Sequence, residues 1–349
     1  MHLTLPQRIL FFIPTLWCII SIQHLLIQYI PGDYNSILAA EQWTSIAEEA
    51  QNHEINQSHT TSHSNTSSYL LPYKQHLSAL LQFKFGNSFE YQQPVWNIIS
   101  SKIGLSLTLS MLSTILAYSL AIPLGIWQAQ HQQRRKTKLC TQILILFKST
   151  PHILMVTLTL TWLCDHYGLF PSGGLISPDY HHYNLIGKMT DIIWHLILPI
   201  LLLSINHIGK ISALTRDRCL QEHRQNYVLT ARSKGCSTPQ IFYHHIFPNI
   251  RATLLATMPK HFMNILLKRS LLIEILFNLD GIGLLIYEAF ANRDYPILLA
   301  CLYLGSILNF AVHNLSDYYL FQNPTSTRKS STKKKHKLTH LMQANLLYV

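Results

Sequence analysis

Charge is what this sequence has least of. Asp, Glu, Lys and Arg make up 12% of its 349 residues, about half the ~25% usual for a soluble domain. A soluble enzyme of this length needs more charged surface to stay in solution. Acidic residues are the scarcer sign, 16 against 27 Lys and Arg, and the formal charge is +11. Disorder is excluded from the other side, because 48% hydrophobic and 11% aromatic content can bury a large core. A basic excess leaves nucleic acid and the membrane surface as partners, and only its distribution chooses between them.

The usual signatures of catalysis are missing too. Gly187-Lys188 and Gly209-Lys210 are each followed by an apolar residue, so no G-x-x-x-x-G-K-[ST] loop is present to cradle ATP. His53-Glu54 has Gln57 where a zinc-protease motif needs a second histidine, and no G-x-S-x-G nucleophile elbow occurs. His181-His182 and His244-His245 are adjacent pairs, which point in different directions on a helix and make poor metal pairs. No catalytic residue, metal ligand or cofactor site of its own is expected in this chain. Its cysteines are Cys18, Cys140, Cys164, Cys219, Cys236 and Cys301; they form no C-x-x-C, and none lies between residues 31 and 101, so no disulfide framework is implied.

What the sequence does have is apolar residues gathered near bilayer length, about 20 residues for a ~30 Å hydrocarbon core. Six stretches qualify: Ile9 to Ile30, Ile103 to Trp127, Cys140 to Cys164, Ile192 to Ile208, Ile246 to Phe277 and Pro296 to Leu320. The first is longer than a signal-peptide core and has no small-residue cleavage site close behind it, so it reads as a retained anchor. An all-α integral membrane protein with six transmembrane helices is the expected architecture. Pro151 and Pro199 are candidate kinks in the third and fourth spans.

Basic residues flanking the spans set the orientation. With the N-terminus inside, 17 of the 27 fall on the inner side: Arg8, four between 134 and 138, six between 210 and 234, and six between 328 and 337. Five fall outside, namely Lys74, Lys84, Lys102, Lys188 and Arg293. Both termini are therefore expected to be cytoplasmic. The expected organisation is a first helix within 1–30, an outer segment over 31–101, a five-helix core over 102–320 and a basic tail over 321–349. Residues 51–68, with His53, His59 and His63, read as a flexible polar stretch rather than a metal site. The basic run 328–337 suits either anionic lipid or plain solvation.

The loop between spans four and five is the most informative. Leu220, Tyr227 and Ala231 are spaced by seven and four, as on one helix face. Gly235 sits where a left-handed residue would end that helix. Ser237-Thr238-Pro239 then reads as an N-cap with proline in the first turn of a helix that enters span five. A short helix followed by a tight turn and a membrane-entering helix can be gripped from outside and can transmit force.

Here the residues carry a resemblance. Thr230-Ala231-Arg232-Ser233-Lys234-Gly235 followed by Phe247-Pro248-Asn249 resembles the EAA loop of bacterial ABC importer permeases. Ile13-Pro14-Thr15-Leu16-Trp17, Ile30-Pro31-Gly32, Phe85-Gly86-Asn87-Ser88, Ile122-Pro123-Leu124-Gly125-Ile126 and Leu169-Phe170-Pro171 with Gly174-Leu175-Ile176-Ser177 extend it. So do Ser270-Leu271-Leu272-Ile273-Glu274, Gly281-Ile282-Gly283 and Arg293-Asp294-Tyr295-Pro296. In order and spacing the chain is similar to dipeptide/oligopeptide permeases, most of all their Yej-type B subunits for microcin C and peptides.

The resemblance implies a type I ABC importer permease of the bacterial inner membrane. It implies a second permease subunit, two ATP-binding subunits or a fused one, and a periplasmic solute-binding protein. ATP would bind those partners, and membrane lipids rather than nucleic acid would surround this chain. Tyr227, Thr230, Ala231, Arg232, Lys234, Gly235 and Pro248 would form the coupling loop of 209–245 and its exit. Gly281, Gly283, Arg293, Asp294 and Tyr295 would lie at the outer gate or docking face.

The sequence also departs from that pattern. Thr230 replaces an acidic residue, Gly104 a proline, and Asn323-Pro324-Thr325 the usual D-P-R. Lys260, Lys268 and Arg269 fall within span five, where the family has small or apolar residues. Ionisable groups at membrane depth need a cavity or a partner. Lys268 and Arg269, with Glu274, are candidate lining of a translocation path that attracts a solute carboxylate; pairing with a partner subunit or snorkelling to the interface are the competing readings. Glu274 is also the one acid that a secondary, ion-driven carrier could use.

Overall fold

All the apolar stretches after residue 100 fold as helix. The structure, a computed structural model, describes residues 82–322 and, before them, Pro14, Trp17, Cys18 and Ser21. Most of the first apolar stretch, the polar segment 51–68 and the basic run 328–337 lie outside the described residues. Helix α1 is Val95–Gln130, α2 Arg135–Ser149, and α3 His152–Thr159, which continues into a π-helical turn, Leu160–His166. Helix α4 is Leu185–His223 and α5 is Asn226–Ser233. A helical turn Thr238–Gln240 and a π-turn Ile241–Ile246 lead into α6, Phe247–Asn264. A second π-turn, Ile265–Arg269, joins α6 to α7, Ser270–Leu276; α8 is Ile282–Ala291 and α9 Tyr295–Gln322. No β-strand occurs among the described residues.

Among the described residues, three helices are long and apolar enough to cross a membrane: α1, α4 and the Tyr295–Leu320 part of α9. A fourth span is counted if α2 and α3 with its π-turn are taken together, but that pair is bent by 98°. The span expected over Cys140–Cys164 is thus broken at Pro151, the residue read as a candidate kink. Thr150 and Pro151 both take extended backbone, with ψ of 130° and 131°. Proline disfavours helical geometry in the residue before it and has no N–H to continue the ladder. Pro151 thus starts a new helix instead of kinking an old one.

The described residues form two compact bodies. One contains residues 82–102 and 285–308. In it Phe83, Phe85 and Tyr303 meet edge to face, with centroids 6.1–6.4 Å apart. The other contains 103–284 and 309–322. Its core has two clusters. One gathers Ala117, Ala121 and Ile126 of α1, Ile211 and Cys219 of α4, and Ile250 and Leu254 of α6. The second gathers Leu109, Met155, Val156, Leu203, Ile265, Ile273 and Phe277. Ser106, Ser110, Ser113 and Thr114 of α1 are also buried; small residues let helices approach closely in a membrane, where apolar burial alone gives no preference for protein over lipid.

Candidate functional site

Helix α5 is the short element the sequence promised, with altered limits. The single helix expected to carry Leu220, Tyr227 and Ala231 up to Gly235 is two helices, because α4 continues to His223 and Gln225 is extended (ψ 151°) before α5 begins. Leu220 therefore belongs to α4 and Tyr227 and Ala231 to α5, yet all three pack on the same core cluster. Val228 and Ala231 face inward and are buried. Beside them lie Ile241, Phe242 and Ile246 of the π-turn and Ile250 of α6. A displacement of α5 must therefore press directly on the start of α6.

Polar contacts fix the same joint. The Tyr227 hydroxyl donates to Glu222 at 3.0 Å, and Glu222 is buried. Burial pushes the Tyr227 hydroxyl up to about 12, against the lowering effect of the Asn249 side chain. The Arg232 guanidinium reaches His223 Nε2 at 2.9 Å, and the His223 ring stacks on Phe242 with centroids 5.2 Å apart. Arginine only donates, so His223 accepts and is a neutral imidazole with its hydrogen on Nδ1. Gly235 has φ +79°, and Ser237 and Gln240 form a capping box with Pro239 in the first turn, as the spacing indicated. Pro248 occupies the first turn of α6. Thr230, Arg232 and Lys234 are exposed. So is Leu229, at 61%, an apolar side chain that the spacing argument passed over. Its signal was present: Leu229 falls off the Val228–Ala231 face of an otherwise polar helix.

In α7, Glu274 is fully buried and its oxygens are occupied. Oε1 accepts from the Ser106 hydroxyl at 2.8 Å; Oε2 accepts from the N–H of Gly283 at 2.6 Å and of Leu284 at 3.3 Å. Ser106 Oγ in turn accepts from the Ile282 N–H at 2.8 Å. The first-turn donors of α8, which no helix can satisfy internally, are met by this pair. Gly281 and Gly283 have no room for a side chain: a Cβ at Gly281 would overlap Glu274 Oε2, and one at Gly283 would stand 2.5 Å from the Leu271 Cα. Glu274 is thus placed inside the fold, tying α7 to the start of α8.

The span-five cations separate. Lys260 forms a 2.7 Å ion pair with Asp317 of α9, which explains a charge that sequence alone left unassigned. Lys268 is exposed, whereas Arg269, the next residue, turns inward to Asn206 of α4. With its amide oriented to meet a donor and an acceptor, Asn206 accepts from Arg269 Nη1 at 3.1 Å and donates to the Phe147 carbonyl at 2.8 Å.

In the other body, Asp294 brings two of the sequence motifs together. The Ser88 hydroxyl donates to Asp294 Oδ2, and the Glu90 N–H reaches the same oxygen at 3.3 Å. Arg293, at φ +57°, is exposed, Asp294 is buried and Tyr295 is half-buried. Among the described residues no group of three or more His, Cys, Asp or Glu could hold a metal ion.

Long apolar helices and a loop helix that packs one face on their core define a multi-pass membrane protein built around a helical core. Residues 121–320 match the family model for the binding-protein-dependent transport system inner membrane component, and the chain belongs to that family. It is 30% identical over 345 residues to the inner membrane ABC transporter permease protein YejB of Escherichia coli O157:H7, covering 90% of this chain and 95% of that one. It is 34% identical over 239 residues to the peptidoglycan transport system permease protein YejB of Agrobacterium fabrum, with 68% and 66% covered. To the oligopeptide transport system permease protein AppB of Bacillus subtilis it is 27% identical over 240 residues, with 68% and 73% covered. The protein is therefore a permease subunit of that family, similar to ABC permeases that are not themselves enzymes.

Proposed function

We propose that this chain is the transmembrane subunit of an ATP-driven importer that moves peptides from periplasm to cytoplasm. The observation that carries this is the joint at α5, whose buried face shares one core with the π-turn and α6 while Leu229, Thr230 and Arg232 face outward. The exposed face docks on a separate ATP-binding subunit, with Leu229 as the apolar knob. Movement of that subunit shifts α5, and the shared core passes the shift to α6. The chain spans the bacterial inner membrane six times with both termini cytoplasmic, and residues 209–245 form the cytoplasmic loop. A second permease subunit completes the channel, two ATP-binding subunits or a fused one supply ATP, and a periplasmic solute-binding protein delivers the peptide. Gly281, Gly283, Arg293, Asp294 and Tyr295 stand at the outer gate or docking face.

A Leu229→Glu variant tests the docking. It places a charge on the exposed face without touching the buried one, so the purified permease should remain folded while its ATP-binding subunit no longer co-purifies. Retention of that subunit in normal stoichiometry refutes the docking assignment.

A further inference from the structure

A group of nitrogen bases lies inside the second body with no acid beside it. His207 of α4 and His261 of α6 face each other through their Nδ1 atoms at 3.1 Å, with ring centroids 5.2 Å apart and near-perpendicular planes. One Nδ1 must donate and the other accept, so the pair cannot be doubly protonated while this contact stands. Arg269 is anchored by Asn206, the residue before His207, and Arg269, Lys210 and His152 are all within electrostatic reach of His207. His207 is 1% exposed, and its Nε2 has no partner among the described residues. His261 and Arg269 are half-buried. None of the ion pairs among the described residues joins it to Asp or Glu.

The sequence places these groups well inside their helices: His207 is the 23rd of 39 residues in α4, and Arg269 follows α6 by one π-turn. A half-buried cation and a buried unpaired nitrogen both cost free energy unless something answers them. A carboxylate answers both: it pairs with a guanidinium through two parallel N–H donors and accepts from an imidazole N–H. A neutral amide offers one oxygen and no charge.

We propose that His207, His261 and Arg269 form an anion site in the translocation path that receives a carboxylate of the passing solute. This rests on the importer reading above and narrows it. Arg269 supplies the charge, Asn206 holds its orientation, and the histidine pair hands over an N–H when His207 accepts at Nδ1 and carries its hydrogen on Nε2. Exposed Lys268, one residue away, is excluded from the site.

The test is ATP-driven uptake by the complete transporter in vesicles, using trialanine and its C-terminal amide as probes. Each variant is read as its acid-to-amide rate ratio divided by that of the wild type. Because the solute-binding protein is the same throughout, its own preference cancels. Arg269→Gln should lower the ratio about tenfold, the effect of losing one charge-assisted contact, and His261→Leu should lower it less. Lys268→Gln should leave it unchanged. An unchanged ratio in Arg269→Gln, or an equal fall in Lys268→Gln, overturns the site. Loss of the second permease subunit from the purified Arg269→Gln complex also overturns it, by assigning the arginine to a subunit contact. Uptake of neither probe by the wild type overturns the peptide-importer reading itself.

Discussion

Replacing Glu274 probes the junction of α7 and α8 most sharply. Glu274→Ala removes the acceptor of the Ser106 hydroxyl and of the Gly283 and Leu284 N–H groups, in a position with no solvent exposure. The Leu284 contact is long at 3.3 Å, so the hydroxyl and the Gly283 N–H decide the cost. A buried donor left unpaired costs about 1–3 kcal/mol, and two together cost roughly 2–6 kcal/mol on the same scale. That is a large share of the ~5–15 kcal/mol by which folded domains are stable. Glu274→Gln should fall in between: its amide oxygen can keep the start of α8, but its NH₂ then meets a Ser106 hydroxyl that has nothing left to donate to. The assay is thermal unfolding of the purified protein in detergent, with the order wild type, Gln, Ala from highest midpoint to lowest. A Glu274→Ala midpoint equal to that of the wild type would refute the reasoning, as would a Gln variant less stable than Ala.

Other outcomes follow from the same contacts. Gly283→Ala drives a methyl into the Leu271 backbone and should destabilise by about 1–3 kcal/mol or more, as overpacking does, read in the same unfolding assay. A double-mutant cycle with Lys260→Met and Asp317→Leu should show a coupling of about 0.5–3 kcal/mol, with each single change worse than the pair; additivity would contradict the ion pair as a mutual partner. Tyr227→Phe should cost about 1 kcal/mol through the lost bond to Glu222. Because burial raises the Tyr227 pKa to about 12, above the unfolded value near 10, that difference is full below about pH 10 and fades as pH rises through 12. Stability curves of the two proteins should therefore run parallel from about pH 6 to 9.

Local chemistry was legible in the sequence wherever neighbours along the chain decide it. Gly235, the Ser237 cap and Pro239 are read within a few residues, and each took the conformation its chemistry requires. Apolar length located the helices, although α4 overran its apolar stretch because Leu185 and His223 sit in helical turns beyond it. Pro151 was visible as a break, but proline chemistry fixes only the interruption; packing on either side sets the 98° turn. Long-range pairings were not legible. Lys260 looked anomalous until Asp317, 57 residues away, supplied its counter-ion. Glu274 looked like path lining or a coupling acid until Ser106, 168 residues away, accounted for one of its oxygens. The pair Lys268-Arg269 looked like one feature, and the π-turn divides it by sending consecutive side chains to different surroundings. Leu229, proposed as the docking knob, was missed because helical spacing searches for the buried face and Leu229 sits on the exposed one.

Helix α5, on the proposed function, transmits the work of a separate ATPase to α6. Peptide uptake by the complete transporter in sealed vesicles, measured with and without ATP for the wild type and for Ala231→Trp, tests it most directly. Ala231 is 6% exposed, in the core shared with the π-turn and α6, so the indole must displace α5. ATP-dependent uptake by the wild type and loss of uptake in Ala231→Trp are expected, with hydrolysis by the ATP-binding subunits no longer tied to transport. Uptake by this chain alone without ATP, or undiminished coupled uptake in Ala231→Trp, would contradict it.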